Sequence, residues 1–305
     1  MNIQVNIIDI ILKTQYKMDL PYWVYQDCFI FKPKFNNKIN KYVNIIQNYK
    51  KLIFLNYCDL DSNIQVINGK KSFTTYIGSN FNQPLANSFD KLTNLTQITF
   101  SSNFNQSLDS SLNQLTDLTC ITFGKEFNHP LSNSLDKLTN LTKITFGYYF
   151  NQSLAGSLDK LINLTTINFN NCFYFNQPLD NSLIQLTNLT HLTFGDSFNQ
   201  SLDEILYCLT KLEYLKLGLE FNQVLFLPPN IKFLTLCCNN QNLIDNLPNS
   251  IEQLNLGLHF NLPLDDLPSS IKKISFYKCS FYNKPLNNLP KSLEVLNYQK
   301  YMDWK

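Results

Sequence analysis

The sequence contains no arginine: its 25 basic residues are all lysines, and they outnumber the 23 acidic residues by only two. Arginine is the usual side chain for bidentate recognition of phosphate and carboxylate groups, so that mode of binding is unavailable here. The near-balanced charge also gives no strong field that would attract nucleic acid or a membrane surface. We therefore expect no nucleic-acid partner.

Long apolar runs are missing as well, so the sequence predicts no membrane-spanning helix. An apolar patch near the N-terminus is interrupted by Asn6 and Asp9, and it lacks the basic flank and small-residue cleavage site of a secretory signal. The eight cysteines are scattered, with no Cys-x-x-Cys spacing, which is typical of reduced thiols. These features predict an intracellular protein.

Residues suited to catalysis are scarce. The three histidines, His129, His191 and His259, lie far apart in the sequence, so no two of them are expected to share a metal or to form a nucleophile–base pair. The eight glycines form no glycine-rich phosphate-binding loop. We predict that the protein is not an enzyme and holds neither a cofactor nor a metal.

What the sequence does contain is an internal repeat that fills most of the chain. Each copy opens with a Phe-Asn pair, and the first seven pairs are 23 residues apart except for one step of 25, which carries an insert around Cys172. The period shortens after Phe221. The pairs are Phe81-Asn82, Phe104-Asn105, Phe127-Asn128, Phe150-Asn151, Phe175-Asn176, Phe198-Asn199, Phe221-Asn222 and Phe260-Asn261, with Tyr282-Asn283 as a last variant and Asn240-Gln241 as a degraded one.

Apolar residues recur at fixed offsets within each copy. The second copy has leucines three or four residues apart, followed by Ile121 and Phe123. That leucine spacing favours a short helical or 3-10 turn, and the Ile-x-Phe alternation favours a strand with both side chains on one face. No copy can bury this set alone, so the copies must stack around a shared core. In the last copies a Leu-Pro pair replaces the middle leucine turn, which favours an extended connection.

The opening pair of each copy predicts a structural corner. Stacked phenylalanines would form an aromatic spine. The asparagine, which we expect to face inward, can bond backbone groups of its own and the neighbouring coil, because buried polar groups need partners. We therefore assign these pairs a structural role rather than glycan or metal recognition.

The Phe-Asn-Gln-Pro-Leu corner, the Leu-Pro-x-Ser-Ile turn and the Leu-x-Leu-Gly strand end resemble FNIP repeats, relatives of leucine-rich repeats that occur in slime moulds and in giant viruses of amoebae. The resemblance covers roughly residues 73–300, in about ten copies. It implies an α/β fold: a leucine-rich-repeat-like solenoid with one short parallel strand per copy, and a convex side of short helical or 3-10 turns and extended segments. If the chain is viral, its predicted intracellular location is the host cytoplasm.

Residues 1–72 differ from the repeats. Up to Asn80 there are ten lysines and five acidic residues, and the apolar residues between Ile39 and Ile46 have the spacing of an amphipathic helix. Two interpretations stay open: a cap over the first coil, or, by the resemblance, a divergent F-box, the helical module that docks on a ubiquitin-ligase scaffold. Residues 301–305 form a short C-terminal tail, in which we expect Trp304 to cover the last coil.

A binding surface is predicted on the sheet. The residue between the core-facing Ile and Phe of each strand must lie on the opposite, concave face. Most of these residues are Thr or Asn, which are common on exposed strands. Where aromatic residues and lysines replace them we predict a protein-binding site, because aromatic side chains are enriched in interface hot spots. Its residues are Lys143, His191, Tyr214, Lys216 and Phe233, with Tyr214, Lys216 and Phe233 at the centre.

The sequence therefore predicts a non-catalytic scaffold for protein–protein interactions, with a protein partner of unknown identity. The resemblance adds a role as substrate receptor of a ubiquitin ligase, whose scaffold would be a second partner. The alternative is a structural or surface component, such as a virion protein, without a ligase role. A three-helix packing of residues 1–55 would favour the receptor.

Overall fold

The computed structural model describes residues 20–55, 66–67, 70–71, 80–277 and 280–297. The predictions for the N-terminal apolar patch and for the tail with Trp304 lie outside the described residues. Within these stretches, no helix has the length and hydropathy that crossing a bilayer requires.

Each copy of the repeat contributes one short strand. Thirteen strands form a single sheet in the order of the chain, and two more form a separate antiparallel pair. The strands are β1 (Tyr22–Tyr25), β2 (Cys28–Phe31), β3 (Lys51–Phe54), β4 (Val66–Ile67), β5 (Lys70–Lys71), β6 (Gln97–Thr99), β7 (Cys120–Thr122), β8 (Lys143–Thr145), β9 (Thr166–Asn168), β10 (His191–Thr193), β11 (Tyr214–Leu217), β12 (Phe233–Leu236), β13 (Gln253–Leu256), β14 (Lys273–Phe276) and β15 (Val295–Asn297).

The sheet is a stack of parallel strands in register. Only β1 and β2 are antiparallel, at the N-terminal end, and β4–β5 lies outside this sheet. Because the copies have a common length, equivalent residues become neighbours: Ile98 is opposite Ile121, and Ile121 is opposite Ile144. The predicted leucine-rich-repeat-like solenoid with one parallel strand per copy is confirmed.

The connections that return from one strand to the next are mostly turns rather than helices. The amide of Leu115 donates to the carbonyl of Leu112, and the amide of Leu118 donates to that of Leu115, each at 3.0 Å. Leucines three apart thus mark consecutive turns closed by bonds between residues i and i+3. Helices of more than one turn within the described repeats are Asp203–Cys208 and Gln241–Asp245. The second of these lies among the short copies, where the sequence predicted an extended connection.

Two ladders of phenylalanine rings run through one continuous core. The corner phenylalanines from Phe81 to Phe221 stack coil on coil, with centroids 5.8–6.4 Å apart. The phenylalanines that follow β6 to β10, from Phe100 to Phe194, form a second ladder with separations of 4.5–5.9 Å. Within each coil the two ladders are 3.9–4.5 Å apart, so both bind the coils together.

The asparagines of the corner form a hydrogen-bonded ladder beside the rings. Asn82 Oδ1 accepts from the backbone amide of Asn105 and from Gln106 Nε2, each at 2.9 Å, and the same acceptor position repeats along the long copies. These asparagines are half-buried or exposed, and so they do not face inward as predicted. Successive residues of an extended corner point to opposite sides, and the phenylalanine occupies the core side.

Residues 20–55 extend the same sheet and the same ladders. β2 pairs with β3, and β3 pairs with β6, both in parallel. The ring of Phe35 stacks on Phe81 at 5.8 Å, and Asn36 Oδ1 accepts from the amide of Asn82 at 2.9 Å. Phe35 and Asn36 are therefore a further Phe-Asn corner. A 3-10 turn (Ile39–Tyr42) and a helical turn (Val43–Ile46) follow it, as the apolar spacing predicted.

Candidate interaction surface

The exposed face of the sheet carries two rows of side chains, one from the first and one from the third residue of each strand. Register places equivalent positions side by side. The first row contains Lys143, Thr166, His191, Tyr214, Phe233, Gln253 and Lys273; the second row contains Thr145, Asn168, Thr193, Lys216, Thr235, Asn255 and Ser275.

Tyr214 lies between two other predicted residues of the first row, His191 and Phe233. Its ring stacks on the imidazole of His191, with centroids 5.6 Å apart, and its backbone pairs with that of Phe233 on the next strand. The three residues therefore occupy adjacent positions of the first row on β10, β11 and β12, and we call them the aromatic segment. Lys143 stands two strands away from His191, beyond Thr166.

Lys216, in the second row, lies at the wall of a groove of about 640 Å³. Its ammonium donates to Asn170 Oδ1, which comes from the loop after β9. Tyr214 also lines the groove, whereas Phe233, His191 and Lys143 do not. Other lining residues are Asp196, Leu219, Cys237, Asn255, His259 and Tyr277.

Hydrogen bonds between neighbouring strands fix the floor of the groove. The hydroxyl of Thr235 lies 3.1 Å from that of Tyr214 and accepts from Asn255 Nδ2 at 3.2 Å. Gln253 Nε2 in turn donates to Asn255 Oδ1 at 3.0 Å. Because these polar side chains hold one another in place, the surface is ordered before any partner binds, which reduces the entropy lost on binding.

Titratable groups lie in the groove and beside it. Burial raises the pKa of the Cys237 thiol against the opposing effect of Lys216, so the thiol stays protonated at neutral pH and is a poor nucleophile. Glu213 and Lys232 form an exposed ion pair at 2.8 Å; the hydrogen bond and charge of Lys232 lower the pKa of Glu213. Across the described part of the chain, no three His, Cys, Asp or Glu side chains converge as metal ligands.

The loop residues that line the groove were not predicted from the sequence. Asn170, Asp196 and His259 lie in loops beyond the strand ends. The alternation of side chains along a strand predicts the orientation of strand residues only. One signal was available: Asn170 begins the insert of the 25-residue step, and an irregular copy in a regular array is a place where loops can acquire a role.

Comparison with known proteins supports the fold. The family model described as FNIP Repeat matches residues 239–279, and no curated protein matches the sequence. The fold is similar to that of CroV588, a circular leucine-rich-repeat protein from a giant virus, with 24% identity and a TM-score of 0.53 over 90% of this chain and 50% of that chain. It is also similar to a chain of the Drosophila Toll–Spatzle complex, with 14% identity and a TM-score of 0.58 over 93% of this chain and 38% of that one. This chain thus spans half the length of the first structure and less of the second.

Proposed function

We propose that this chain, which carries an FNIP repeat at residues 239–279 within a leucine-rich-repeat-like solenoid, is a non-catalytic scaffold that binds a protein partner. The proposed site is the exposed sheet face around Tyr214, Lys216 and Phe233. Repeat solenoids offer extended surfaces to partners, and the similar Toll–Spatzle structure is itself a complex.

The observation that carries the proposal is the change in the exposed face between its two halves. None of the first residues of β6, β7, β8 and β9 is aromatic. From β10 onward, the aromatic segment of His191, Tyr214 and Phe233 lies beside a groove that contains a lysine. Such a surface can bury ring area and still form directional polar contacts, as interface hot spots do.

Two finer roles are compatible with a scaffold. As the substrate receptor of a ubiquitin ligase, the chain would hold its substrate on the sheet face and dock the ligase scaffold through residues 1–72. The described residues 20–55 continue the sheet instead of packing as three helices, so that docking would use the N-terminal end of the solenoid rather than a helical module. As a structural component, the chain would instead be recovered in purified particles or at a cell surface. Affinity purification of the full chain followed by mass spectrometry separates the two roles.

The proposed site is tested with the double variant Tyr214→Ala/Phe233→Ala in the full chain. The loss of two aromatic anchors is expected to lower the affinity for a partner of the wild type by a factor of roughly ten or more. Calorimetry with the purified partner measures this affinity. The matched control is Thr99→Ala/Thr122→Ala, on the same face but outside the site, which should bind as the wild type does. Equal affinity of all three proteins would place the binding site elsewhere.

A further inference from the structure

Four aromatic side chains, three of them exposed, form a cluster on the edge of the solenoid where the strands end. Phe173 and Tyr174, which follow the insert of the 25-residue step, lie beside Tyr148 and Tyr149 of the preceding coil, and the amide of Tyr174 donates to the carbonyl of Tyr148 at 3.3 Å. Tyr148, Phe173 and Tyr174 are 36%, 37% and 46% exposed. This aromatic cluster lies outside the two rows of the sheet face and contains none of the residues that line the groove.

The cluster is held together by ring contacts in two directions. Tyr148 stacks on Phe173 at 5.5 Å, and Tyr149 stacks on Tyr174 at 5.3 Å, with interplanar angles of 14° and 15°. Within each coil the neighbouring rings meet edge to face, at 4.9 Å and 5.2 Å. Mutual packing fixes the rings, so the surface exists without a partner and binding costs little side-chain entropy.

A lysine adds one charge to the cluster. Lys125 Nζ lies 5.6 Å from the centre of the Tyr148 ring and 5.5 Å from that of Tyr149, a cation–π geometry. None of the four ion pairs found between described residues includes Lys125, although Glu126 is its neighbour in sequence. The cluster therefore presents a positive charge that has no carboxylate partner among the residues that the structure describes.

The arrangement of the rings decides which ligands fit. Tyr148 lies between Lys125 of the preceding coil and Phe173 of the following coil, so neither face of its ring is free. A nucleobase stacks on ring faces, and neither face of Tyr148 is available to it. The exposed edges of aromatic rings carry partial positive charge, which together with the ammonium favours an anion flanked by apolar groups.

We propose that the aromatic cluster and Lys125 form a second docking surface, which binds an extended segment of a partner protein through an acidic side chain flanked by apolar residues. The carboxylate pairs with Lys125, and the apolar neighbours pack against Phe173 and Tyr174. The proposal rests on the scaffold function but not on the sheet-face site.

The test uses the immobilised full chain and a phage-displayed library of random 12-residue peptides. The expected outcome is enrichment of peptides with Asp or Glu next to a large apolar residue. Fluorescence anisotropy with the recovered peptides should show roughly tenfold weaker binding to Phe173→Ala, as for a hot-spot residue. Lys125→Gln should abolish the preference for a glutamate peptide over its glutamine counterpart.

The control is Ile162→Ala, which removes a side chain that is similarly exposed but lies outside the cluster, and it should leave affinity unchanged. Circular dichroism checks the fold of each variant, and Lys125→Gln, which changes an exposed side chain and leaves all four rings in place, keeps the test valid if Phe173→Ala fails to fold. The proposal is overturned if no peptide is enriched, if the recovered peptides lack acidic residues, or if cluster variants bind normally. Peptides that respond to Tyr214→Ala/Phe233→Ala alone would uphold the sheet-face site while rejecting this one.

Discussion

At the scale of single residues, glycine follows the strand in several coils because neighbouring coils approach too closely there for a side chain. A Cβ on Gly147 would lie 1.7 Å from the carbonyl oxygen of Gly124, and one on Gly124 would lie 1.6 Å from that of Ser101. Gly195 and Gly218 are in the same situation. The glycine that follows these strands, after phenylalanine or leucine, thus reflects a steric limit on the spacing of the coils.

Gly147→Ala is expected to destabilise the protein by at least about 2 kcal/mol, because backbone atoms of the adjacent coil must move to admit the methyl group. Gly156→Ala is the matched control. Gly156 has open space around its Cβ position but a φ of +71°, so alanine there costs only about 1 kcal/mol of backbone strain. Urea unfolding of both variants measures the difference, and equal losses would show that the coils can separate at little cost.

At the scale of one element, the residues before the helix Gln241–Asp245 have other roles than the sequence suggested. The sequence suggested that Asn240 and Gln241 were a degraded corner. In the structure Asn239 continues the ladder, since its Oδ1 accepts from the amide of Asn261 at 2.7 Å. Asn240 is instead the N-cap of the helix: its Oδ1 accepts from the amide of Leu243 at 3.2 Å, and its Nδ2 donates to the carbonyl of Gln223 at 2.8 Å.

Asn240→Ala should therefore cost about 1–2 kcal/mol, because the helix loses its cap and a buried amide and carbonyl lose their partners. Asn240→Asp retains the cap acceptor but not the donor, so its loss in stability should be smaller. Asn242→Ala, at an exposed position of the same helix, should be neutral or slightly stabilising. Thermal unfolding ranks the three variants, and an Asn240→Ala variant as stable as Asn242→Ala would contradict the capping role.

At the scale of the whole molecule, the fold could be predicted because equivalent residues pack in the same way in successive coils. The offsets of Ile121 and Phe123 within one copy predict strand, face and register for the others, and the structure agrees. The earlier corner at Phe35 was missed because residue 58, one period later, is a cysteine rather than a phenylalanine, so the series looked interrupted. Recognition of Phe35 and Asn36 required the stacking on Phe81 and the bond to Asn82, which are tertiary contacts.

The candidate site was predictable only where strand geometry governs it. Alternation along β11 places Tyr214 and Lys216 on the exposed face, and register brings Phe233 and His191 beside Tyr214. The positions of loop residues such as Asn170 depend on how an irregular connection packs, which no period encodes. The aromatic cluster was not predicted for the same reason: its four residues stand in the sequence, but the contacts between them are contacts between loops.

A repeat held together mainly by adjacent coils should tolerate the loss of one complete copy. Deletion of residues 104–126, one full period, joins Asn103 to Phe127 and lets β6 pair with β8 in the existing register. Each coil contacts mainly its neighbours, so the shortened solenoid should fold cooperatively, with lower stability and a smaller m-value because less surface is buried. Deletion of residues 104–115 removes only half a period and leaves β7 without its corner, so that variant should lose cooperative unfolding. Urea titrations followed by circular dichroism compare the two, and a full-copy deletion that fails to fold would show that the coils depend on contacts beyond their neighbours.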